Sequence, residues 1–279
     1  MNTTHKTISI LGCGWLGLPL AECLIAQGYT VRGSTTSEEK LPLMRRSGID
    51  AHPLQLSPEP VGDVTALLQA DIVVINIPPK AGKMGDDFHP QQTECLTEAI
   101  RQSSVKHVIY VSSTSVYREI NRVVVEDDVM IPEQSAAPAL VQAEKIVQML
   151  APERAVTILR CGGLMGYGRI PGKYVAGRTV DSGAVPVNYV HRDDAVGILL
   201  LLIERRLTGV FNAVAPQHPT REAIYWKSCA DFGYELPLFV QPAEPVSYKI
   251  VSPDKLIQQT KYCFRHPDPL AFPYGSEAV

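Results

Sequence analysis

Ile8-Ser9-Ile10-Leu11-Gly12-Cys13-Gly14-Trp15-Leu16-Gly17-Leu18-Pro19-Leu20-Ala21 joins an apolar, strand-like run to a helical pattern through a Gly-x-Gly-x-x-Gly turn. In that setting each glycine has a task. Gly12 permits the tight turn off the strand, Gly14 lets a pyrophosphate reach the backbone, and Gly17 lets the helix lie close to the strand. The amides that open the helix, at Trp15, Leu16 and Gly17, then face the phosphates with the positive end of the helix dipole behind them. The stretch predicts a dinucleotide site; a bare structural turn is the alternative reading.

On either side of the turn, residues 7–12 read as a strand and 16–27 as a helix stopped by Gly28. Strand two comes next at 29–33, then a short helix at 38–46, a strand at 51–56 and a short helix at 64–70. Asp71-Ile72-Val73-Val74-Ile75-Asn76-Ile77 is a continuous apolar strand of the kind buried on both faces. Pro78-Pro79 ends it, and residues 80–87 read as a glycine- and charge-rich loop. Helices are expected at 90–102 and 135–150, and strands at 105–112 and 155–160. This alternation predicts right-handed crossovers and an α/β, doubly wound parallel sheet with helices on both faces. After residue 160 glycine and proline become frequent. Asp193 or Asp194 should cap a helix over 195–204, and Thr220 one over 220–232. The expected organisation is a dinucleotide-binding domain over 1–160 and a smaller C-terminal substrate lobe over 161–279, interwoven with it.

The 279 residues carry a formal net charge of −3 and 45% hydrophobic residues. That balance suits a globular enzyme and offers no basic footprint for nucleic acid. The polar start of the chain predicts no secretory signal, and the apolar run at 195–203 is too short to cross a bilayer. Six scattered cysteines without a Cys-x-x-Cys pair fit reduced thiols in a cytoplasmic protein. The histidines lack paired ligand spacing, so no metal site is expected.

A dinucleotide site usually carries Asp or Glu about twenty residues after its first glycine, accepting from the ribose hydroxyls. Here that place holds Arg32-Gly33-Ser34-Thr35-Thr36-Ser37, and no carboxylate comes before Glu38. Arg32, Ser34 and Thr35 suit a 2′-phosphate, which favours NADP over NAD. An Arg32 that merely points to solvent is the alternative. The backbone of Asn76, Ile77 and Pro78 is expected to flank the cofactor.

The chain resembles the extended short-chain dehydrogenase/reductase family, of the NAD-dependent epimerase/dehydratase type with a Rossmann fold. The likeness rests on the glycine turn, on Val111-Ser112-Ser113-Thr114-Ser115-Val116-Tyr117, and on Arg160 with Gly166-Tyr167-Gly168-Arg169. It rests also on Asn188-Tyr189-Val190-His191-Arg192-Asp193-Asp194 and on Phe211-Asn212-Ala213. The resemblance implies a bound NAD or NADP, hydride chemistry at a carbonyl or alcohol carbon, a small-molecule substrate of the nucleotide-sugar kind, and a homodimer through helices like 90–102 and 135–150.

One departure stands out. The family's acid/base pair is Tyr-x-x-x-Lys, and counting back from Glu144 puts Ala136 and Leu140 in those places. A phenol near pKa 10 needs a neighbouring cation to exchange protons readily; alanine and leucine supply neither group. Ser113 matches the substrate-orienting hydroxyl, or else makes a local turn. Ser112 sits beside it at the cofactor, and Tyr117 is the candidate replacement acid. Tyr167 and His191 are further candidates, His191 more readily as a packing residue, while Arg169 and Asn188 suit an anionic or sugar group. These residues leave two functions open: an atypical NAD(P)-dependent oxidoreductase or epimerase/dehydratase-like enzyme, or a non-catalytic NADP-binding redox sensor or regulator.

Overall fold

The computed structural model describes residues 6–79 and 84–275, so part of the expected 80–87 loop lies outside the described residues. Its strands are β1 (Thr7–Leu11), β2 (Thr30–Thr35), β3 (Asp50–Leu56), β4 (Pro60–Gly62), β5 (Ile72–Ile75), β6 (His107–Ser113), β7 (Arg122–Val124), β8 (Ala155–Cys161), β9 (Gly163–Met165), β10 (Thr179–Val180), β11 (Tyr189–His191), β12 (Gly209–Ala213), β13 (Leu238–Phe239) and β14 (Lys249–Val251). Its α-helices are α1 (Gly17–Ala26), α2 (Leu41–Arg46), α3 (Val64–Leu68), α4 (Phe88–Arg101), α5 (Pro138–Gln148), α6 (Arg192–Arg205), α7 (Arg221–Phe232) and α8 (Asp254–Thr260). The chain forms two compact units. The first takes Met1–Ser112, Val129–Arg160 and Leu199–Val210; the second takes Ser113–Asp128, Cys161–Ile198 and Phe211–Val279.

An eight-stranded sheet in the order β12-β8-β6-β5-β1-β2-β3-β4 organises the first unit. β1 pairs in parallel with β2 and β5, β2 with β3, and β5 with β6, while β4 is an antiparallel edge on β3. All four residues of β5 are buried, as a strand covered on both faces requires. From β1 the chain winds outward through β2 to β4, then returns to β5 on the other side of β1. Ligands bind open α/β sheets at such a reversal, beyond the carboxyl ends of the strands. The register sets Leu11 beside Ile75, so Gly12 and Asn76 leave the sheet together. Pro90 is accommodated inside α4, which starts earlier than expected at Phe88, because the first turn needs no amide hydrogen there. Pro138 opens α5 at its first turn, which shortens the expected 135–150 helix at its start.

The second unit holds short parallel pairs, β9 with β11, β10 with β13 and β7 with β14. Thr220 caps α7 as expected, its Oγ1 accepting from the Ala223 amide at 3.2 Å, and Gly233 ends that helix at φ +68°. The cap of α6 differs from expectation. The helix begins at Arg192, and the Asp193 amide donates to His191 Nδ1 at 3.2 Å, so an imidazole takes the capping role. Asp194 is drawn elsewhere: its buried carboxylate accepts from the Tyr262 hydroxyl and from the Arg265 and His266 amides at 2.8–2.9 Å. Among the described residues no helix is long and apolar enough to cross a membrane.

Candidate dinucleotide site

The glycine turn is held from two sides. The Cys13 amide donates to the Ser34 carbonyl at 2.7 Å and the Gly12 amide to Ser34 Oγ at 3.0 Å. From β5, Asn76 Nδ2 donates to the Gly12 carbonyl at 2.9 Å. Gly12 has φ +104°, and a Cβ there would lie 2.4 Å from the Asn76 carbonyl oxygen. A Cβ at Gly17 would lie 2.3 Å from the Gly12 carbonyl oxygen, so this glycine lets α1 approach the turn. Gly14 is different: it is exposed, and among the described residues a Cβ there would meet nothing within 4 Å. Among the described residues no packing asks for glycine at that position, whereas a phosphate against the backbone does.

α1 itself starts without a side-chain cap and without an acidic residue in its first turn. Its N-terminal partial charge is therefore compensated neither by a side-chain cap nor by an acid of its own first turn, as suits an anion site. Leu16 is buried, so only its backbone can face a ligand, and Trp15 is half-buried. Burial raises the Cys13 thiol to about 12, which makes it a packing group rather than a nucleophile. Ile77 follows Asn76 with its amide nitrogen 3.8 Å from where a Cβ on Gly12 would lie, and Pro78 after it is exposed. The clamping side chain of Asn76 was not legible in the sequence, because its partner lies 64 residues away.

At the end of β2 the expectation for Arg32 is corrected. Its guanidinium is occupied by the Ala66 carbonyl, by Gln69 Oε1 at 3.3 Å and by Asp50 at 3.4 Å, so it is not aimed at a 2′-phosphate. Ser34 is buried beneath the glycine turn. Thr35 Oγ1 accepts from the Ser37 amide at 3.2 Å, which leaves the threonine proton to donate.

At the end of β6 the hydroxyls divide. Ser112 Oγ is buried and donates to Glu144 Oε1 at 2.5 Å; Glu144 in turn accepts two-pronged bonds from Arg160, the closest at 2.7 Å. This is a closed internal network, and the Ser112 side chain serves it rather than a cofactor. Ser113 Oγ accepts from the Ser115 amide at 3.1 Å, capping the turn Thr114–Val116 while keeping its proton for a further acceptor. Tyr117 is corrected as a replacement acid: it is fully buried and its hydroxyl donates to Asn212 Oδ1 at 2.7 Å. Ala136 is exposed and precedes α5, and Leu140 is buried. The places of the family's tyrosine and lysine thus hold no proton-transferring group.

The second unit gathers Tyr167, His191, Asp193 and His266. The Tyr167 hydroxyl donates to Asp193 Oδ2 at 2.7 Å, the two imidazole rings lie 4.1 Å apart, and the Arg192 guanidinium stands 4.3 Å over the Tyr167 ring. Burial, with His266 beside it, holds His191 below its ordinary pKa; burial and the Asp193 bond push the Tyr167 phenol up. Asn188 is a structural clamp, its amide bracketing β14 through the Lys249 carbonyl at 3.0 Å and the Val251 amide at 2.7 Å. Arg169 is half-desolvated in the loop after β9, its ordinary pKa lowered by burial. His266 counts among the dispersed histidines of the sequence, where nothing in its spacing ties it to His191.

Residues 12–200 match the family model described as NAD(P)H-binding. The chain is 35% identical to Protein YeeZ of Escherichia coli strain K12, over 96% of this chain and 99% of that protein. Its fold is similar to UDP-glucose-4-epimerase from Stenotrophomonas maltophila with bound NAD and formylated UDP-arabinopyranose (TM-score 0.77, 16% identity, 96% of each chain). It is also similar to UDP-N-acetylglucosamine 4-epimerase from Bacillus cereus (TM-score 0.70, 16% identity, 95% of this chain and 96% of that one). With the glycine turn, its Asn76 clamp and the uncapped start of α1 in the same place, the chain belongs to the NAD(P)H-binding family, with the short-chain dehydrogenase/reductase fold of the nucleotide-sugar epimerases.

Proposed function

We propose that the protein is an NADP-dependent oxidoreductase acting on a small carbonyl or alcohol, a nucleotide sugar being the substrate class its fold relatives bind. The observation that carries this reading is Gly14, open on the side where a diphosphate lies, at the head of a helix with no acid of its own. The absence of a carboxylate between Arg32 and Glu38, with Thr35 keeping a hydroxyl proton to donate, supports the 2′-phosphorylated form. The bound nicotinamide supplies hydride chemistry. Asn76 and Ser34 fix the turn that orients the diphosphate, and the Ser113 hydroxyl donates to a substrate oxygen. With Ala136 and Leu140 in the acid/base places, the proton comes from Ser113's surroundings or from water, so turnover is slow. The same proposal extends to a cytoplasmic homodimer through α4 and α5, which light scattering at the monomer mass would contradict.

The test is purified protein with NADPH and a panel of nucleotide sugars and small carbonyls, followed at the reduced-nicotinamide absorbance. Oxidation that falls at least ~10-fold in Ser113→Ala supports the enzyme. A second reading, a non-catalytic NADP-binding regulator, is favoured by the same Ala136 and Leu140. A flat trace across the panel, with dinucleotide still bound, selects that reading instead.

A further inference from the structure

We infer that His191, Asp193 and His266 form a binding site for a first-row divalent transition ion, Zn2+ in type, within the second unit. One donor atom from each of the three residues lies within 4.8 Å of the others. Asp193 Oδ2 is 3.7 Å from His191 Nδ1 and 3.7 Å from His266 Nε2. Ligands about 2.0–2.1 Å from a tetrahedral ion stand roughly 3.3 Å apart, so the two Asp193 distances close by about 0.4 Å, and the two imidazole donors, within 4.8 Å of each other, draw together onto the ion. Two imidazoles and a carboxylate are the donor set of borderline ions, and a fourth position stays open where three protein ligands bind.

The surroundings orient these groups. His191 Nε2 faces the Pro273 carbonyl at 3.2 Å, which fixes the proton on Nε2 and leaves the Nδ1 lone pair pointing toward Asp193. A ligating histidine characteristically gives its other ring proton to such an acceptor. The Tyr167 hydroxyl donates to Asp193 Oδ2 at 2.7 Å and holds that oxygen in place. The Arg192 guanidinium is directed to the other oxygen, Oδ1, at 4.0 Å. The bond that an ion must displace is the 3.2 Å one from the Asp193 amide to Nδ1. His191 is fully buried, while Asp193 and His266 keep 26% and 22% of their side chains exposed, which gives an ion an entry side. An ion here ties the start of α6 to the segment after α8.

The experiment titrates chelator-stripped full-length protein with Zn2+ by calorimetry and with Co2+ by visible absorption. The expected result is one equivalent bound, four-coordinate cobalt bands without thiolate charge transfer, and a loss of affinity of at least ~100-fold in both His266→Ala and Asp193→Asn. The absence of thiolate bands separates this site from the exposed Cys23 and Cys263. No stoichiometric uptake, uptake equal in the wild type and both variants, or a thiolate spectrum would overturn the proposal. Both substitutions lie at partly exposed positions, and their thermal unfolding in the absence of metal checks that they fold.

Discussion

His107 sits at the start of β6, 1% exposed, with Nε2 2.8 Å from Thr157 Oγ1. The threonine hydroxyl itself donates to the Leu207 carbonyl, so the imidazole must be the donor at Nε2. Its Nδ1 is then a bare acceptor, buried without a hydrogen-bond partner among the described residues. Burial, with the Arg206 charge nearby, lowers the His107 pKa to about 4. The unfolded chain takes up this proton near pH 6.5 and the folded protein only near 4. The neutral ring therefore contributes fully above 6.5, and its contribution is lost as pH falls through that window. Urea unfolding at stepped pH should show of order 3 kcal/mol less loss between pH 6.5 and 4 in His107→Gln than in the wild type. Identical pH slopes would contradict the assignment. Tyr117 shows the limit of a residue read alone. Its place after Ser113 suggested a proton donor, yet its partner Asn212 is 95 residues further on, and that bond makes it part of the core.

Helix ends show what local sequence encodes. Asp63 and Thr220 cap α3 and α7 through side chains three residues ahead of the amides they accept from, a pattern visible within one turn. The start of α6 was not legible in this way, because Asp194 is claimed by the later residues Tyr262, Arg265 and His266. The carboxyl end of α4 is likewise completed from a distance. Arg154 Nη2 donates to the carbonyls of Ile100, Arg101 and Ser103 at 2.9–3.0 Å, placing a part-buried cation on the negative end of that helix. Arg154→Ala removes the cation from these acceptors, of which the Ile100 carbonyl keeps its bonds from Ser103, and should lower unfolding stability by about 1–3 kcal/mol. Arg154→Lys, with a single charged group in place of the fork, should recover only part of it. Denaturant midpoints equal for wild type and Arg154→Ala would refute the capping role.

For the whole molecule, the sheet was readable from a few runs. β1, β5 and β6 are mostly buried apolar stretches, and Gly12 and Pro78-Pro79 mark where the first two leave the sheet. The glycine turn was readable because it needs no distant partner to be recognised. The dinucleotide cradle was thus visible in outline, while its fastening by Asn76 and the diversion of Arg32 to Asp50 and Ala66 depend on neighbours brought together only by the sheet. The central claim is that the backbone at Gly14 and the start of α1 hold the diphosphate of a dinucleotide. Gly14 lies outside the left-handed region and has room for a methyl group, so Gly14→Ala should fold with unliganded stability equal to the wild type or up to about 1 kcal/mol above it. The deciding measurement is thermal unfolding of wild type and Gly14→Ala against increasing NADPH and NADH. The account predicts that wild type gains about 2.7 kcal/mol at a hundredfold excess over Kd while Gly14→Ala gains at least ~1.4 kcal/mol less at the same concentration. A wild type indifferent to both dinucleotides, or a variant stabilised as much as the wild type, would contradict it.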